Sequence, residues 1–152
     1  MREGFPPIEA LIPHRGEAVL LSKVVSHTPD ETVCAAHVEP TGLYASADGN
    51  VPAVFSVEYL AQVVAVHAGL AVADEGAPRI GLLLGARDYR IAVPCLGSKQ
   101  ELLACARRVW GSAAGLVAFD CELRDERTGA VLARGRLSCY LSSSRVATEA
   151  PR

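Results

Sequence analysis

One long apolar segment stands out in a chain that otherwise alternates short β-branched runs with turn residues. It covers residues 51–73 and contains few polar side chains. Pro52 suits the first position of a helix, where its missing N–H costs nothing, and Gly76 and Pro78 follow as a helix stop. Apolarity on all sides is typical of a helix enclosed in a globular protein. We therefore predict one long buried helix.

Six shorter runs have the composition and boundaries of β-strands. Two precede the helix and four follow it, at residues 18–26, 32–39, 80–93, 101–110, 116–125 and 131–141. The turn signals GSAAG and ERTG between the last three runs are typical of antiparallel hairpins. In the final run Arg134 and Arg136 alternate with Ala133, Gly135 and Leu137, which indicates a sheet with one covered face.

A six-stranded antiparallel sheet that curls around one apolar helix would bury the apolar surfaces of both. This α+β arrangement is the hot-dog fold. We expect residues 1–152 to form a single domain, with an N-terminal arm over 1–17 and a polar tail over 142–152. The unpaired edges of such a sheet predict a dimer.

The composition of the chain argues against two classes of protein, nucleic-acid-binding proteins and membrane-spanning proteins. The chain has 152 residues, of which 50% are hydrophobic and 21% charged, and a formal net charge of -2. A nucleic-acid-binding protein normally carries a basic excess or stripe, so we expect no nucleic-acid partner. Glu58, Gln62 and His67 lie within the apolar segment, and polar groups in hydrocarbon are costly, so we expect no membrane span.

The five cysteines are widely spaced, without a CxxC pair or a Cys/His cluster of zinc-ligand spacing. We therefore expect no metal site and no disulfide. The start of the chain, MREGFPPIEALIPHRG, lacks the apolar stretch of a signal peptide. A reduced, cytoplasmic location is the resulting expectation.

Three segments carry motifs of a known family. They are LIPHRGEAVLLSKVV at 11–25, SVEYLAQ at 56–62 and GLLLGARDYRIAVP at 81–94. The first resembles the proline-histidine-arginine segment of the 3-hydroxyacyl-acyl-carrier-protein dehydratases, the second their glutamate-bearing helix motif, and the third the strand after that helix. The divergent, aryl-polyene-type branch is the most similar. The resemblance implies a cofactor-free lyase that dehydrates 3-hydroxyacyl thioesters on acyl carrier protein, in fatty-acid-like or polyene biosynthesis.

One departure from the family pattern concerns the base. Housekeeping members carry a histidine in a His-Phe-Pro-Gly loop before the helix, whereas this chain reads GLYASADGNVPAV there. Counting back from Glu58 without gaps places Tyr44 at that position. The base is therefore His14, His67 or absent.

Dehydration requires a base for the α-proton, an acid for the leaving β-hydroxyl and donors for the thioester carbonyl. Glu58 is the candidate acid, because apolar surroundings would raise its pKa. Gln62 shares its helical face and either holds the carboxyl or satisfies a loop backbone. His14 is the candidate base, although the equivalent histidine in better-known members is not their base, which leaves a structural role open.

The remaining candidates would bind substrate. The backbone amides of Ala53 and Val54, at the predicted start of the helix, could hold the thioester carbonyl. Tyr44 could orient substrate through its hydroxyl. His67 faces away from Glu58 on the helix, as a core histidine would, and could reach only a partner's site.

Two alternatives to an active dehydratase stay open. The missing loop histidine favours a catalytically weak subunit that pairs with an active hot-dog homologue. A helix carboxylate on this fold also suits an acyl thioesterase. The sequence leaves undetermined the acyl chain length and type, homodimer against heterodimer, and acyl carrier protein against coenzyme A.

Overall fold

The computed structural model describes residues 4–72, 79–112 and 114–145. The strands are β1 (Leu21–His27), β2 (Glu31–His37), β3 (Val51–Pro52), β4 (Arg79–Ile91), β5 (Cys95–Leu96), β6 (Glu101–Gly111), β7 (Leu116–Asp125) and β8 (Val131–Arg145). The helix α1 covers Ser56–Ala71, and short 3-10 turns cover Ile8–Ala10, Gly16–Ala18 and Ala53–Phe55.

Six of these strands form one sheet in the order β1-β2-β6-β7-β8-β4, and β3 pairs separately with β5. Every pairing is antiparallel. The single helix packs against all six strands of the large sheet. The predicted fold, two strands, one helix and four strands that wrap it, is confirmed.

The core lies between α1 and the face of the sheet that is turned towards it, and alternation of buried side chains is clearest on β6. On β6, Leu102, Ala104 and Ala106 are fully buried. On the helix, the buried apolar side chains are Tyr59, Leu60, Val63, Val64 and Val66. Full burial of one such large side chain contributes roughly 1.5–3 kcal/mol, so this interface provides much of the driving force for folding.

The predicted start of the helix was wrong. Val51 and Pro52 are extended and pair with Leu96 and Cys95 in the small β3–β5 ribbon. The chain then makes a 3-10 turn, and α1 begins at Ser56. A buried strand residue and a buried helical residue are equally apolar, so hydropathy could not separate the two. At the other end α1 stops at Ala71, and residue 73 lies outside the described residues.

The structure agrees with the prediction for the N-terminal arm and differs from the prediction for the C-terminal tail. The arm contains the short helical turn expected near its start, at Ile8–Ala10. Strand β8 continues to Arg145, so residues 142–145 belong to the sheet and not to the predicted tail. Residues 1–3 and 146–152 lie outside the described residues.

By length and composition alone, Ala53–Ala71 could cross a membrane, with a mean hydropathy of 1.4. In the fold, however, 56% of this segment is buried. Its apolarity is accounted for by the sheet that surrounds it.

Gly69, in the last turns of α1, lies against the arm. A Cβ placed on Gly69 would overlap the backbone carbonyl of Leu11. The arm can approach the helix this closely only because residue 69 has no side chain.

We expect Gly69→Ala to destabilise the protein by about 1–3 kcal/mol, the usual cost of overpacking. Helix propensity alone would favour alanine by about 1 kcal/mol, so the sign of the change reports the arm contact. Urea denaturation measures it. Gly97→Ala is the control, because its new methyl would make only an ordinary 3.6 Å contact with Gln100. Equal stability of the two variants would contradict the predicted overlap.

Candidate active site

A cleft of about 190 Å³ lies between the arm, α1, β4 and β8. Its walls are mostly apolar; the lining residues are Leu11, Pro13, His14, Glu58, Ala61, Val64, Ala65, Ala68, Gly69, Gly81, Leu82, Leu83, Cys139 and Leu141. Two polar side chains face this space, Glu58 from the first turn of α1 and His14 from the arm. The fold therefore brings together the two residues predicted from sequence as acid and base.

Glu58 and His14 form a pair across the mouth of the cleft. Nε2 of His14 lies 3.7 Å from Oε1 of Glu58, with 31% and 33% of the respective side chains exposed. This separation allows charge attraction and is slightly long for a hydrogen bond.

The predicted direction of the Glu58 pKa was wrong. The interaction with His14 holds the pKa of Glu58 below its usual value, and a contact from Gln62 adds to this, although partial burial acts in the opposite direction. The sequence argument considered only desolvation, because it could not place His14 beside the carboxyl. Glu58 is therefore an ionised carboxylate at neutral pH.

Gln62 takes both roles that the sequence left open. It is fully buried, its Nε2 donates to the Ala18 carbonyl at 2.6 Å, and its Oε1 accepts from the Leu20 amide at 2.9 Å. The same Nε2 lies 3.4 Å from Oε1 of Glu58. Gln62 thus fixes the backbone that leads from the arm into β1 and also contacts the carboxylate.

The second ring nitrogen of His14, Nδ1, is buried and has no hydrogen-bond partner among the described residues. The turn that carries the ring is held by Arg15, whose Nη1 donates to the Ile12 carbonyl at 2.8 Å. An unpaired buried acceptor or donor costs about 1–3 kcal/mol. The hydrogen-bonding capacity of this atom is therefore unmet within the described residues.

The predicted amide site at the helix start is only partly possible. The amide of Ala53 donates to the Pro94 carbonyl at 3.2 Å, so it cannot serve a thioester. The reason is the β3–β5 ribbon, which occupies the positions assigned to the first helical turn. Val54 has an exposed side chain in the same 3-10 turn, which precedes α1.

Tyr44 lies near the carboxylate without lining the cleft beside it. Its ring stacks on Phe55 with a centroid distance of 4.5 Å. Partial burial and the charge of Glu58 both raise the pKa of the Tyr44 hydroxyl. The phenol stays protonated, and its predicted role in orienting substrate is untested.

Sequence reasoning missed a hydrogen bond at the start of α1. The hydroxyls of Ser56 and Tyr89 are 2.6 Å apart, and Ser56 is fully buried. The Tyr89 ring packs over Gly135, where a Cβ would come within 2.6 Å of it. Because Ser56 and Tyr89 are 33 residues apart in the sequence, no local sequence pattern could predict that their hydroxyls meet.

His67 lies at the other end of α1, as its helical position predicted. Its Nδ1 is 2.8 Å from the Thr32 hydroxyl, which is in turn 2.7 Å from Nδ1 of His27. The ring also packs edge-on against Phe119. Burial lowers the pKa of His67 to about 4, with smaller contributions from His27 and Arg108. His67 is therefore a neutral, hydrogen-bonded core histidine in this chain.

Within the described residues, no three His, Cys, Asp or Glu side chains are grouped so as to hold a metal ion. The five cysteines are free thiols, and burial raises the pKa of Cys34 to about 12 and that of Cys139 to about 11. They act as small hydrophobic residues in this fold.

The sheet-wrapped helix and the polar pair in an apolar cleft define a hot-dog-fold protein with acid–base groups. A family model described as "ApeP-like: ApeP dehydratase" matches residues 6–149. The chain belongs to this dehydratase family. A comparison with curated protein sequences gives no match.

Solved structures agree with this assignment. A chain of the dehydratase heterocomplex ApeI:P from Xenorhabdus doucetiae is 26% identical, with a TM-score of 0.83 over 91% of this chain and 93% of that chain. A hypothetical thioesterase with coenzyme A from Streptococcus pneumoniae TIGR4 is 10% identical, with a TM-score of 0.62 over 82% of this chain and 88% of that one. Zebra fish thioesterase superfamily member 2 is 19% identical, with a TM-score of 0.55 over 79% and 80% of the two chains. The two thioesterases share the fold alone.

The free energy of unfolding should fall as the pH is lowered from 6.5 towards 4, because the unfolded chain protonates His67 first. A pKa of about 4 against the ordinary 6.5 corresponds to at most ~3 kcal/mol. His67→Asn should remove this part of the acid dependence. Urea midpoints over that pH range measure it, with His37→Asn, at a half-buried histidine outside the core, as control. Parallel pH curves for wild type and His67→Asn would contradict the assignment.

Proposed function

We propose that this protein dehydrates 3-hydroxyacyl thioesters in the cleft beside Glu58. The single observation that supports this most is the pair of Glu58 and His14, set 3.7 Å apart at the edge of an otherwise apolar space. One ionised carboxylate beside one imidazole is a complete proton-transfer unit. Membership of the dehydratase family supplies the reaction class.

The lowered pKa of Glu58 argues against the acid role expected from sequence, and His14 remains the candidate base. If the 3.7 Å separation shortens when substrate fills the cleft, an ionised Glu58 accepts from Nε2–H of His14. This bond would fix the ring tautomer and leave Nδ1 as an unprotonated acceptor. This assignment follows the logic by which a carboxylate orients a catalytic histidine elsewhere. Nδ1, which has no partner among the described residues, is then the base.

The proton can be followed through the whole reaction. Nδ1 of His14 takes the α-proton, and the electron pair of the broken C–H bond forms the new carbon–carbon double bond. The bond between Cβ and its hydroxyl breaks, and the imidazolium returns the same proton to the departing oxygen as water. Glu58 stabilises the imidazolium between these steps. Atoms and charge balance without a cofactor.

The apolar walls suit the acyl chain. Ala61, Val64 and Ala65 of α1 form one side of the cleft, and Leu82 and Leu83 of β4 form the other. Small residues on the helix side leave room for a chain that runs along the helix axis. Each methylene group of the acyl chain that is buried contributes about 0.8 kcal/mol of binding free energy. A longer chain should therefore bind more tightly, as long as the cleft can hold it.

Acyl carrier protein is the proposed carrier, in a cytoplasmic polyene or fatty-acid-like pathway. On the outer face of the sheet, Arg87 lies opposite Arg136 and Arg90 lies opposite Arg134 across the β4–β8 pairing. Like charges directly opposite each other are unfavourable. Asp120 neutralises Arg136. An acidic protein surface would offset the remaining positive charge.

The proposed assembly is a dimer through β4 with a second hot-dog subunit; the structurally similar ApeI:P is itself a dehydratase heterocomplex. Strand β4 is an edge of the six-stranded sheet. It exposes Leu82 by 56%, Leu83 by 45% and Leu84 by 56%. Because Leu82 and Leu83 also line the cleft, a partner on this edge would complete the site.

Glu58→Gln should lower turnover at least about a hundredfold, because a neutral amide no longer orients or stabilises the protonated ring. His14→Ala should lower it comparably. The assay follows interconversion of 3-hydroxyacyl and enoyl thioesters on acyl carrier protein and on coenzyme A, with the partner subunit present if one is required. Glu9→Gln, an exposed arm residue, is the control and should keep full activity.

Each contrary result has a distinct meaning. Unchanged turnover in folded Glu58→Gln would overturn the mechanism. Release of free thiol from the substrate would identify a thioesterase. If activity depends wholly on the partner and persists in His14→Ala, this chain is a non-catalytic subunit that shapes the partner's site.

Leu84→Glu should shift the protein from dimer to monomer, because it places a charge on the edge that a partner would cover. Light scattering on a sizing column measures the change. Leu43→Glu is the matched control, since Leu43 is 54% exposed and lies outside β4. A wild-type protein that is monomeric at micromolar concentration, both alone and with a hot-dog partner, would contradict the proposed assembly.

A further inference from the structure

A second cavity, of about 350 Å³, lies at the far end of α1. Ala68 and Leu141 line both this cavity and the cleft beside Glu58, so the two spaces adjoin. Ten residues of helix separate Glu58 from Ala68, which is about 15 Å along the axis. An acyl chain that enters beside Glu58 and follows the helix would therefore end in the second cavity.

The second cavity differs from the first in its polar wall. Arg108, His27 and His67 line it, opposite apolar side chains that include Phe119. Within the described residues, no carboxylate lies within ion-pair distance of Arg108, whereas its neighbour Arg107 points to the other face of β6 and pairs with Asp120 at 3.5 Å. Alternation along the strand thus sends one arginine outward and leaves the other, unpaired, at the cavity.

The histidines add an acceptor beside this donor. The Thr32 hydroxyl contacts Nδ1 of both rings and has only one proton to give. At least one ring must therefore carry its proton on Nδ1. When that ring is His27, its Nδ1 carries the proton and its Nε2 is left unprotonated.

Given the proposed function, we infer that the second cavity binds the far end of the acyl chain and selects a substrate whose end bears an oxygen, as a hydroxyl or a carboxylate. Arg108 donates to that oxygen. A hydroxyl can also donate to Nε2 of His27, whereas a carboxylate gains the full charge of Arg108. A methyl end offers no acceptor to Arg108, which is exposed to solvent, and gains only apolar contact.

The inferred preference for an oxygen-bearing chain end can be tested by measuring the binding of thioesters that the protein cannot dehydrate. Calorimetry would titrate the protein, with its partner subunit where one co-purifies, with pantetheine thioesters of dodecanoate, ω-hydroxydodecanoate and dodecanedioate. None carries a 3-hydroxyl, so the result does not depend on dehydration. At least one oxygen-ended compound should bind about tenfold more tightly than the methyl-ended one, or about 1.4 kcal/mol. Its identity distinguishes hydroxyl from carboxylate.

Matched variants locate the effect. Arg108→Met should abolish the preference, and Arg107→Met should keep it. Gly111→Ala should weaken it, because a Cβ there would overlap the guanidinium of Arg108. Ala68→Leu should remove it by closing the passage between the two spaces. Hexanoyl thioesters, too short to reach, should show no preference in any of these proteins.

Glu58→Gln separates this inference from the mechanism, since it should lose turnover and keep the end preference. Equal or tighter binding of the methyl-ended compound by wild type would overturn the inference. Equal losses in Arg107→Met and Arg108→Met would overturn it as well, because the effect would then come from net charge alone.

Discussion

The attachment of the N-terminal arm to one face of α1 is the contact on which the site depends. Glu58, Gln62 and Gly69 share that face of the helix, and each meets a different part of the arm. Gly69 allows the Leu11 backbone to approach, Gln62 holds the carbonyl of Ala18, and Glu58 faces His14. Since the arm brings the imidazole and the helix brings the carboxylate, loosening this contact would separate the two groups that we propose transfer the proton, without changing either one.

The same attachment decides the charge of the carboxylate. A glutamate on an apolar helix has a raised pKa if it meets only hydrocarbon, and a lowered one if a cationic or hydrogen-bonding group reaches it. Here the second effect outweighs the first. Displacement of the arm would therefore raise the pKa of Glu58, because desolvation would then act without the opposing contact from His14.

Much of the fold could be predicted from the sequence, because it rests on hydropathy that extends over whole elements. The long apolar segment, the strand runs and the alternation around Arg134 and Arg136 all follow from burial. The start of α1 could not be predicted, since Val51 and Pro52 pair with a ribbon strand more than forty residues away, Cys95–Leu96. No local pattern records which of two buried environments an apolar residue enters.

In the candidate site, too, local relations could be predicted from the sequence and long-range contacts could not. The motif SVEYLAQ identified Glu58 and the helical spacing placed Gln62 beside it, because both relations are local. The hydroxyl pair of Ser56 and Tyr89, the occupied amide of Ala53 and the reach of His14 are long-range contacts that only the packed sheet creates.

These long-range contacts also place the chemistry at a boundary. The cleft is closed by the helix on one side and by the exposed edge strand β4 on the other. One wall is therefore fixed by the core, whereas the other is a surface that a second subunit can cover. In the proposed mechanism Glu58 of α1 and His14 of the arm determine the proton transfer, and a partner on β4 adjusts the width and depth of the space that the acyl chain occupies. On this proposal, a family member that lacks the usual loop histidine can remain part of a working dehydratase, because the arm and α1 together supply an acid–base pair and the open wall admits groups from the partner.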